Sequence, residues 1–291
     1  MQRFLKWLGI SAGVLMALVV CAVLYLFVAS QRVVARTYAR THDGALGSFH
    51  APGDSESIRK GKRLAAIYGC SECHGPDLSG TDMFDEPGIA HITAPNLTAV
   101  VKDYTDAEFE RLLRHGIKHD GTSTWIMPSS MFHHLSDEDL GAITAYVRSF
   151  PQTKGVDRLV SIRHLGRVGI VTGQFTPQAA QIGALPKISA PSASDPLSQG
   201  RYLVMTACTE CHGARLEGGS YVKAPNLAIA AAYSDADFDR LMRHGKGLGD
   251  RDLGLMSQVA KARFSHFTDA EVNAIHGYLR AFAQQGALDL P

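Results

Sequence analysis

The sequence predicts an all-α fold, with two tandem helical domains behind a single N-terminal transmembrane helix. Three observations carry this prediction. The chain opens with a long uncharged apolar run, and the remainder contains one unit written twice. Within each copy, apolar residues recur every three or four positions behind a hydroxyl residue suited to cap a helix.

The N-terminal run extends from Leu8 to Ala29, 22 residues without a charge. At 1.5 Å per residue a helix of this length spans roughly 33 Å, enough for a hydrocarbon core of about 30 Å. A cleaved signal peptide carries a shorter apolar region of roughly 7–15 residues. Residues 1–30 are therefore expected to be a retained anchor and residues 31–54 a juxtamembrane segment. Arg3 and Lys6 precede the run and Arg32, Arg36 and Arg40 follow it, so charge alone leaves the orientation open.

Behind the anchor, Gly61-Lys62-Arg63-Leu64 returns as Gly200-Arg201-Tyr202-Leu203. Cys70-Ser71-Glu72-Cys73-His74-Gly75 returns as Cys208-Thr209-Glu210-Cys211-His212-Gly213, and Ala94-Pro95-Asn96-Leu97 as Ala224-Pro225-Asn226-Leu227. Tyr104–Gly116 matches Tyr233–Gly245 at an offset of 129, and Leu135–Val147 matches Phe267–Leu279 at an offset of 132. These matches delimit a first domain over 55–152, a connector over 153–196 and a second domain over 197–287.

The repeated blocks read as helices. Thr105 with Glu108, Ser136 with Asp139, Ser234 with Asp237 and Thr268 with Glu271 are capping-box pairs, in which the hydroxyl accepts from an unpartnered first-turn N–H. Leu140, Ile143, Tyr146 and Val147 follow at helical spacing, as do Val272, Ile275, Tyr278 and Leu279. No alternating strand pattern stands out. The connector ends at Pro186, Pro191 and Pro196, and its apolar middle (Leu159, Ile162, Leu165, Val168, Ile170, Val171) suits packing along a domain.

Composition narrows the function. A net charge of +1 offers no general attraction for nucleic acid, and none is expected as a partner. The first domain is acidic, with net charge −6 over 54–148, whereas 195–280 is neutral. Of the five cysteines, Cys21 lies in the apolar run and the other four form two Cys-x-x-Cys pairs, so none remains for a structural disulfide.

Each pair is followed directly by histidine. Two thiols separated by two residues can reach one porphyrin edge, and the adjacent imidazole ligates the iron. A redox dithiol or half a zinc site is the alternative for a single copy. Two copies at matching places in a repeat point to two covalently bound haem c groups, on Cys70 and Cys73 with His74, and on Cys208 and Cys211 with His212.

The repeat also nominates sixth ligands. The offset of 129 places Met127 on Met256, each 11 residues after its glycine, whereas Met131 falls on Ala260. Met127 and Met256 are thus the candidate iron ligands. Met256 precedes Ser257 rather than proline, and three extra residues follow it, so the second unit departs from the first. The rival is a bis-histidine iron, since His134 coincides with His266 and His115 with His244.

With its Gly/Leu helix ahead of Cys-x-x-Cys-His, proline-bearing loop, methionine and C-terminal helix carrying an aromatic, each unit resembles a class I cytochrome c domain. The resemblance covers about 55–150 and 197–285. It is closest to the multihaem cytochrome subunits of periplasmic (alcohol/gluconate-type) dehydrogenases, through Ala-Pro-Asn-Leu and through Met-Pro followed by Ser-Asp-Glu-Asp. That resemblance implies that the carbonyls of Pro95 and Pro225 accept hydrogen bonds from the ligating imidazoles. Arg114 and Arg243 are candidates to reach haem propionates.

Such haem attachment implies that the haem domains face the bacterial periplasm and that the N-terminus is cytoplasmic. The expected role is electron relay, not catalysis by the chain itself. Electrons would pass from a periplasmic dehydrogenase or other redox donor to a cytochrome, a quinone or an oxidase. The alternatives are a subunit of a terminal oxidase, a dihaem peroxidase or a thiosulfate dehydrogenase. The last resembles enzymes with a cysteine on one iron, and no cysteine remains outside the apolar run.

Overall fold

A computed structural model describes residues 2–38, 49–183, 185–188, 190–219 and 222–285. The architecture is mainly α. Helix α1 (Gln2–Val34) is continuous through the apolar run and exposed along most of its length. Among the described residues it is the one helix long and apolar enough to cross a membrane.

The first unit runs α2 (Ser55–Ile67), α3 (Cys70–His74), β1 (Thr81–Glu86), β2 (Ala90–Ala94), α4 (Leu97–Val100), α5 (Asp106–His115), α6 (Ser129–Phe132) and α7 (Asp137–Arg148). The connector adds β3 (Val160–Ile162), α8 (His164–Val171) and α9 (Gln178–Ile182). The second unit holds α10 (Ser198–Ala207), α11 (Thr209–His212), a 3₁₀ turn over Leu227–Ala232, α12 (Asp235–His244), α13 (Leu255–Ala262), a 3₁₀ turn over Phe264–His266 and α14 (Asp269–Gln285).

In both units the helix before the cysteines crosses the last helix, α2 on α7 and α10 on α14. The crossing residues are Gly61 and Gly200, the glycines that open the repeat. A Cβ on Gly61 would run into the Ala142 carbonyl oxygen, and one on Gly200 into that of Ala274. Backbone-to-backbone contact of this kind leaves no room for even a methyl group, which explains why glycine stands in the interior of a helix that it otherwise weakens.

The caps form where the sequence places them. Thr105 and Glu108 make a reciprocal capping box, as do Thr268 and Glu271, while the hydroxyls of Ser136 and Ser234 accept from the N–H groups of Asp139 and Asp237.

The fold is mainly helical, as the repeat predicts, and the first unit adds one small three-stranded sheet. β1 and β2 form an antiparallel hairpin with Thr81 opposite Ala94 and an irregularity between Asp82 and Phe84; β3, from the connector, adds to the far side with Ala90 opposite Ile162. The hairpin turns through Pro87 and Gly88, the latter at φ 82°. In β2, Ala90, Ile92 and Ala94 are buried and His91 and Thr93 less so. That alternation is present in Ala-His-Ile-Thr-Ala, but it covers too few residues to outweigh the surrounding helical repeat. The connector packs against the first unit. The Gln178 side chain accepts from Ser130 N–H, and Ile170, Ile182 and Ile188 are buried. Helix α8 also lies on the end of α1, where Arg167 stacks over the Phe27 ring at 4.3 Å and donates to Ser30 Oγ at 2.9 Å.

The buried apolar side chains of both units form one contiguous cluster. The contacts across it are reciprocal. Arg63 on α2 grips the Glu271 carboxylate of α14 through two bonds of 2.8 and 3.1 Å. Its repeat counterpart Tyr202 on α10 donates to the Asp139 carboxylate of α7 at 2.6 Å and accepts from Ser136 N–H at 3.0 Å. Likewise α6 of the first unit packs on α10 and α11, and the 3₁₀ turn Phe264–His266 packs on α2. The two units are therefore related by an approximate two-fold.

Substituting Gly61 or Gly200 by alanine should force these crossings apart, at a cost of about 1–3 kcal/mol each, as for overpacking elsewhere. Thermal unfolding followed by helical circular dichroism should show both midpoints lowered, while alanine at Gly277, where an added Cβ meets nothing within 4 Å, should change it little.

Candidate functional site

Each Cys-x-x-Cys-His segment is a short helical turn set at the end of a crossing helix. Gly69, at φ 70°, turns the chain from α2 into α3, and Gly75 and Gly213, at φ 81° and 78°, release it after the histidine. The following loops are alike. Gly80 N–H returns to the His74 carbonyl at 2.8 Å, and Gly218 N–H to that of His212 at 3.0 Å. Leu78 and Leu216 are buried at 1 and 0% exposure in the left-handed region, at φ 59° and 58°. Strained backbone at matching places in both units is held by what each leucine supports, since Leu97 N–H donates to the Leu78 carbonyl and Leu227 N–H to that of Leu216.

Those bonds deliver Ala-Pro-Asn-Leu to the histidine. His74 Nδ1 lies 2.8 Å from the Pro95 carbonyl oxygen, and His212 Nδ1 lies 2.8 Å from that of Pro225. A carbonyl only accepts, so Nδ1 carries the proton in both rings and the Nε2 lone pair is free for a metal. The next residue anchors the segment, because Asn96 and Asn226 cap the turns that follow by accepting from Thr98 and Ala228 N–H. Burial holds both imidazoles below the usual histidine range, against the opposing pull of the proline carbonyls, so both are neutral at neutral pH.

No disulfide joins the four motif cysteines. Burial pushes Cys70 and Cys208 up to about 12, with Cys73 and Cys211 adding to the shift. A redox dithiol needs a depressed thiol pKa, so the dithiol reading does not suit this environment. Among the described residues no cluster of three metal-ligating side chains occurs, which is also unlike a zinc site. Paired thiols beside an imidazole with its Nδ1–H already committed fit a covalently held haem.

The methionines separate as the repeat does. Met131 is 1% exposed and belongs to the core, as does Ala260 at 0%. Met127 and Met256 are only partly buried at the edge of that core. Their settings differ: Met127 stands in a loop before Pro128, whereas Met256 lies in the first turn of α13. Ser257, in place of the proline, bonds through its hydroxyl to the Gly245 carbonyl and accepts from Leu253 N–H, tying that turn to the end of α12.

The rival histidines are unlike one another. His134 is buried and its Nδ1 accepts from Ile188 N–H at 3.4 Å, which puts the ring proton on Nε2 and removes that lone pair. Burial, with the positive charges of His133 and Lys187, lowers it to about 4. His266 and His244 are exposed.

Arg114 and Arg243, the candidates from the sequence to reach haem propionates, both bond within the protein. Arg114 is buried and bonds to Glu110, to the Leu135 carbonyl at 2.7 Å and to Asp137 at 2.6 Å. Arg243 bonds in the same pattern to Asp239, the Phe267 carbonyl and Asp269. Both arginines staple the helix before the methionine segment to the start of the last helix. Two residues escaped the sequence reading. His276 is buried, stacked on Phe238, with Nδ1 at 2.8 Å from Asp235 and Nε2 at 3.2 Å from the Ala230 carbonyl. Arg263 lies among the extra residues of the second unit, so the repeat could not single it out.

The cytochrome c family matches residues 58–151 and 197–283, one match on each unit. The chain is 30% identical over 266 residues to the fructose dehydrogenase cytochrome subunit of Gluconobacter japonicus, covering 80% of this chain and 53% of that one. It is 25% identical over 289 residues to the gluconate 2-dehydrogenase cytochrome c subunit of Pantoea cypripedii, covering 82% and 64%. To the cytochrome c subunit of the quinone alcohol dehydrogenase of Gluconacetobacter polyoxogenes it is 26% identical over 268 residues, covering 78% and 56%. The chain thus spans between half and two thirds of the length of these relatives. It belongs to the cytochrome c family, with covalently bound haem c as its cofactor.

Proposed function

We propose that this chain is a membrane-anchored dihaem electron relay that serves a dehydrogenase. The observation that carries the reading is the pair of Cys-x-x-Cys-His segments, each with its imidazole Nδ1–H tied to a proline carbonyl at 2.8 Å. Bound haem c supplies a one-electron ferric/ferrous couple. Cys70 and Cys73, and likewise Cys208 and Cys211, carry the thioether bonds. Pro95 and Pro225 orient the proximal rings of His74 and His212 and make them more basic ligands. Met127 and Met256 would each offer a thioether as the second protein ligand of an iron. Ligation by methionine with histidine would raise a haem potential relative to two histidines, and an iron with both ligands from the protein would leave no place for a substrate. Relay therefore suits this chain better than a peroxidase.

The relatives named as cytochrome subunits of fructose, gluconate and alcohol dehydrogenases support a periplasmic dehydrogenase as electron donor. The acceptor is a cytochrome, a quinone or an oxidase of the respiratory chain. Helix α1 anchors the chain in the inner membrane with its N-terminus cytoplasmic and both haem domains periplasmic.

Three outcomes are expected. Denatured protein should keep two haems per chain by pyridine haemochrome, and Cys70→Ala combined with Cys73→Ala should leave one. Haem lost to acid acetone would contradict the thioether assignment. The purified protein should require detergent and its N-terminal peptide should retain Phe4 and Leu5; a soluble product beginning near Ser30 would show a cleaved leader instead. The oxidised protein should show the weak red absorption band of thioether-ligated ferric haem, and Met127→Ala or Met256→Ala should each remove about half of it. Met131→Ala should preserve the band, and loss of the second haem's signal in His266→Ala instead would assign that iron to histidine.

A further inference from the structure

One cation joins the two cysteine segments. Arg263 Nε and Nη2 donate to Glu72 Oε2 at 2.9 and 2.6 Å, and its Nη1 donates to Glu210 Oε2 at 3.1 Å. Glu72 and Glu210 are repeat counterparts, and each immediately precedes the second cysteine of its motif. The guanidinium lies over Gly69, where any Cβ would meet it, and the side chain is 15% exposed.

The approximate two-fold explains why one residue does this for both units. Contacts off the axis come in pairs, as Arg63 with Glu271 and Tyr202 with Asp139 do. A residue on the axis meets two equivalent partners at once and needs no counterpart. Arg263 has none in the first unit, since it lies in the stretch where the offset changes from 129 to 132.

Two carboxylates facing each other repel, and a guanidinium between them converts that repulsion into attachment. Its planar fork reaches both at once, which a point charge does less well. The two thioether-bearing turns are thereby held side by side.

We propose that Arg263 is a positioning residue for electron transfer between the haems: by bridging Glu72 and Glu210 it fixes the two Cys-x-x-Cys-His segments edge to edge, so that the haems form one coupled pair. This rests on the dihaem reading above. Electron tunnelling falls steeply with distance, so a small separation of the segments slows transfer without removing either haem.

Soret-region circular dichroism of the full-length protein in detergent tests this, because two haems held close together give a bisignate exciton couplet. The native protein should show the couplet. Arg263→Gln should lose more than half of its amplitude and slow inter-haem electron transfer after flash reduction by at least about ten-fold, with two haems per chain retained by pyridine haemochrome. Arg263→Lys, which keeps the charge without the fork, should fall between the native protein and Arg263→Gln in amplitude. Glu72→Gln combined with Glu210→Gln removes the same bridge from the other side and should match Arg263→Gln, which keeps the test open if that variant does not fold. An unchanged couplet in either glutamine variant with both haems present, or no couplet in the native protein, would overturn the proposal. Fewer than two haems in the native protein would overturn the dihaem reading beneath it.

Discussion

The rest of the structure hangs on two helix crossings made without side chains. At Gly61 and Gly200 the helix ahead of each cysteine segment lies directly on the backbone of the last helix of its unit. Contact this close leaves little freedom in angle or register. The end of that helix sets where the cysteines stand, and the loop behind the histidine returns through a left-handed leucine to present a proline carbonyl to the imidazole. The histidine-to-proline hydrogen bond joins residues 21 positions apart in one unit and 13 in the other, at 2.8 Å in both.

The same crossings create the contact between units. With α2 and α10 fixed on their own last helices, Arg63 and Tyr202 project across to the carboxylates of Glu271 and Asp139, first-turn residues of the opposite unit's last helix. The Glu271 carboxylate already serves the start of its helix by accepting from Thr268 N–H, whereas Asp139 serves its helix through its backbone N–H, which donates to Ser136 Oγ. Joining a helix cap to an inter-unit bond couples the packing of one unit to the presence of the other. The shared apolar cluster has the same consequence, and Arg263 closes the arrangement where the cysteine segments meet.

The two units have diverged where they were free to do so. The loop after the first motif carries a hairpin that captures a strand of the connector, and the second unit makes the same return in fewer residues. Conversely, the second unit spends three extra residues between its methionine and its last helix, and those residues include Arg263. Pro128 and Ser257 show the same principle on the scale of one residue: proline restricts the backbone by its ring, and serine restrains it by bonding Gly245 and Leu253.

The sequence by itself determined the apolar N-terminal helix, the internal repeat, the capped helices and the haem chemistry. Each depends on residues near one another in the chain or on a pattern that recurs. The repeat served as an internal alignment, and through it Met127 and Met256 stood apart from Met131 before any packing was known. Only the tertiary structure decided the remainder. Arg114 and Arg243 could be placed near the end of a helix from sequence, but apart from Glu110 and Asp239 one turn back, the carboxylates and carbonyls that claim them lie more than twenty residues away. His134 and His266 coincide in the repeat, yet one is buried and hydrogen-bonded by the connector and the other is exposed, because only the first unit has a connector folded against it. The role of Arg263 was illegible for the deepest reason: a residue on a symmetry axis has no counterpart to reveal it, and its partners converge only when the two units have docked.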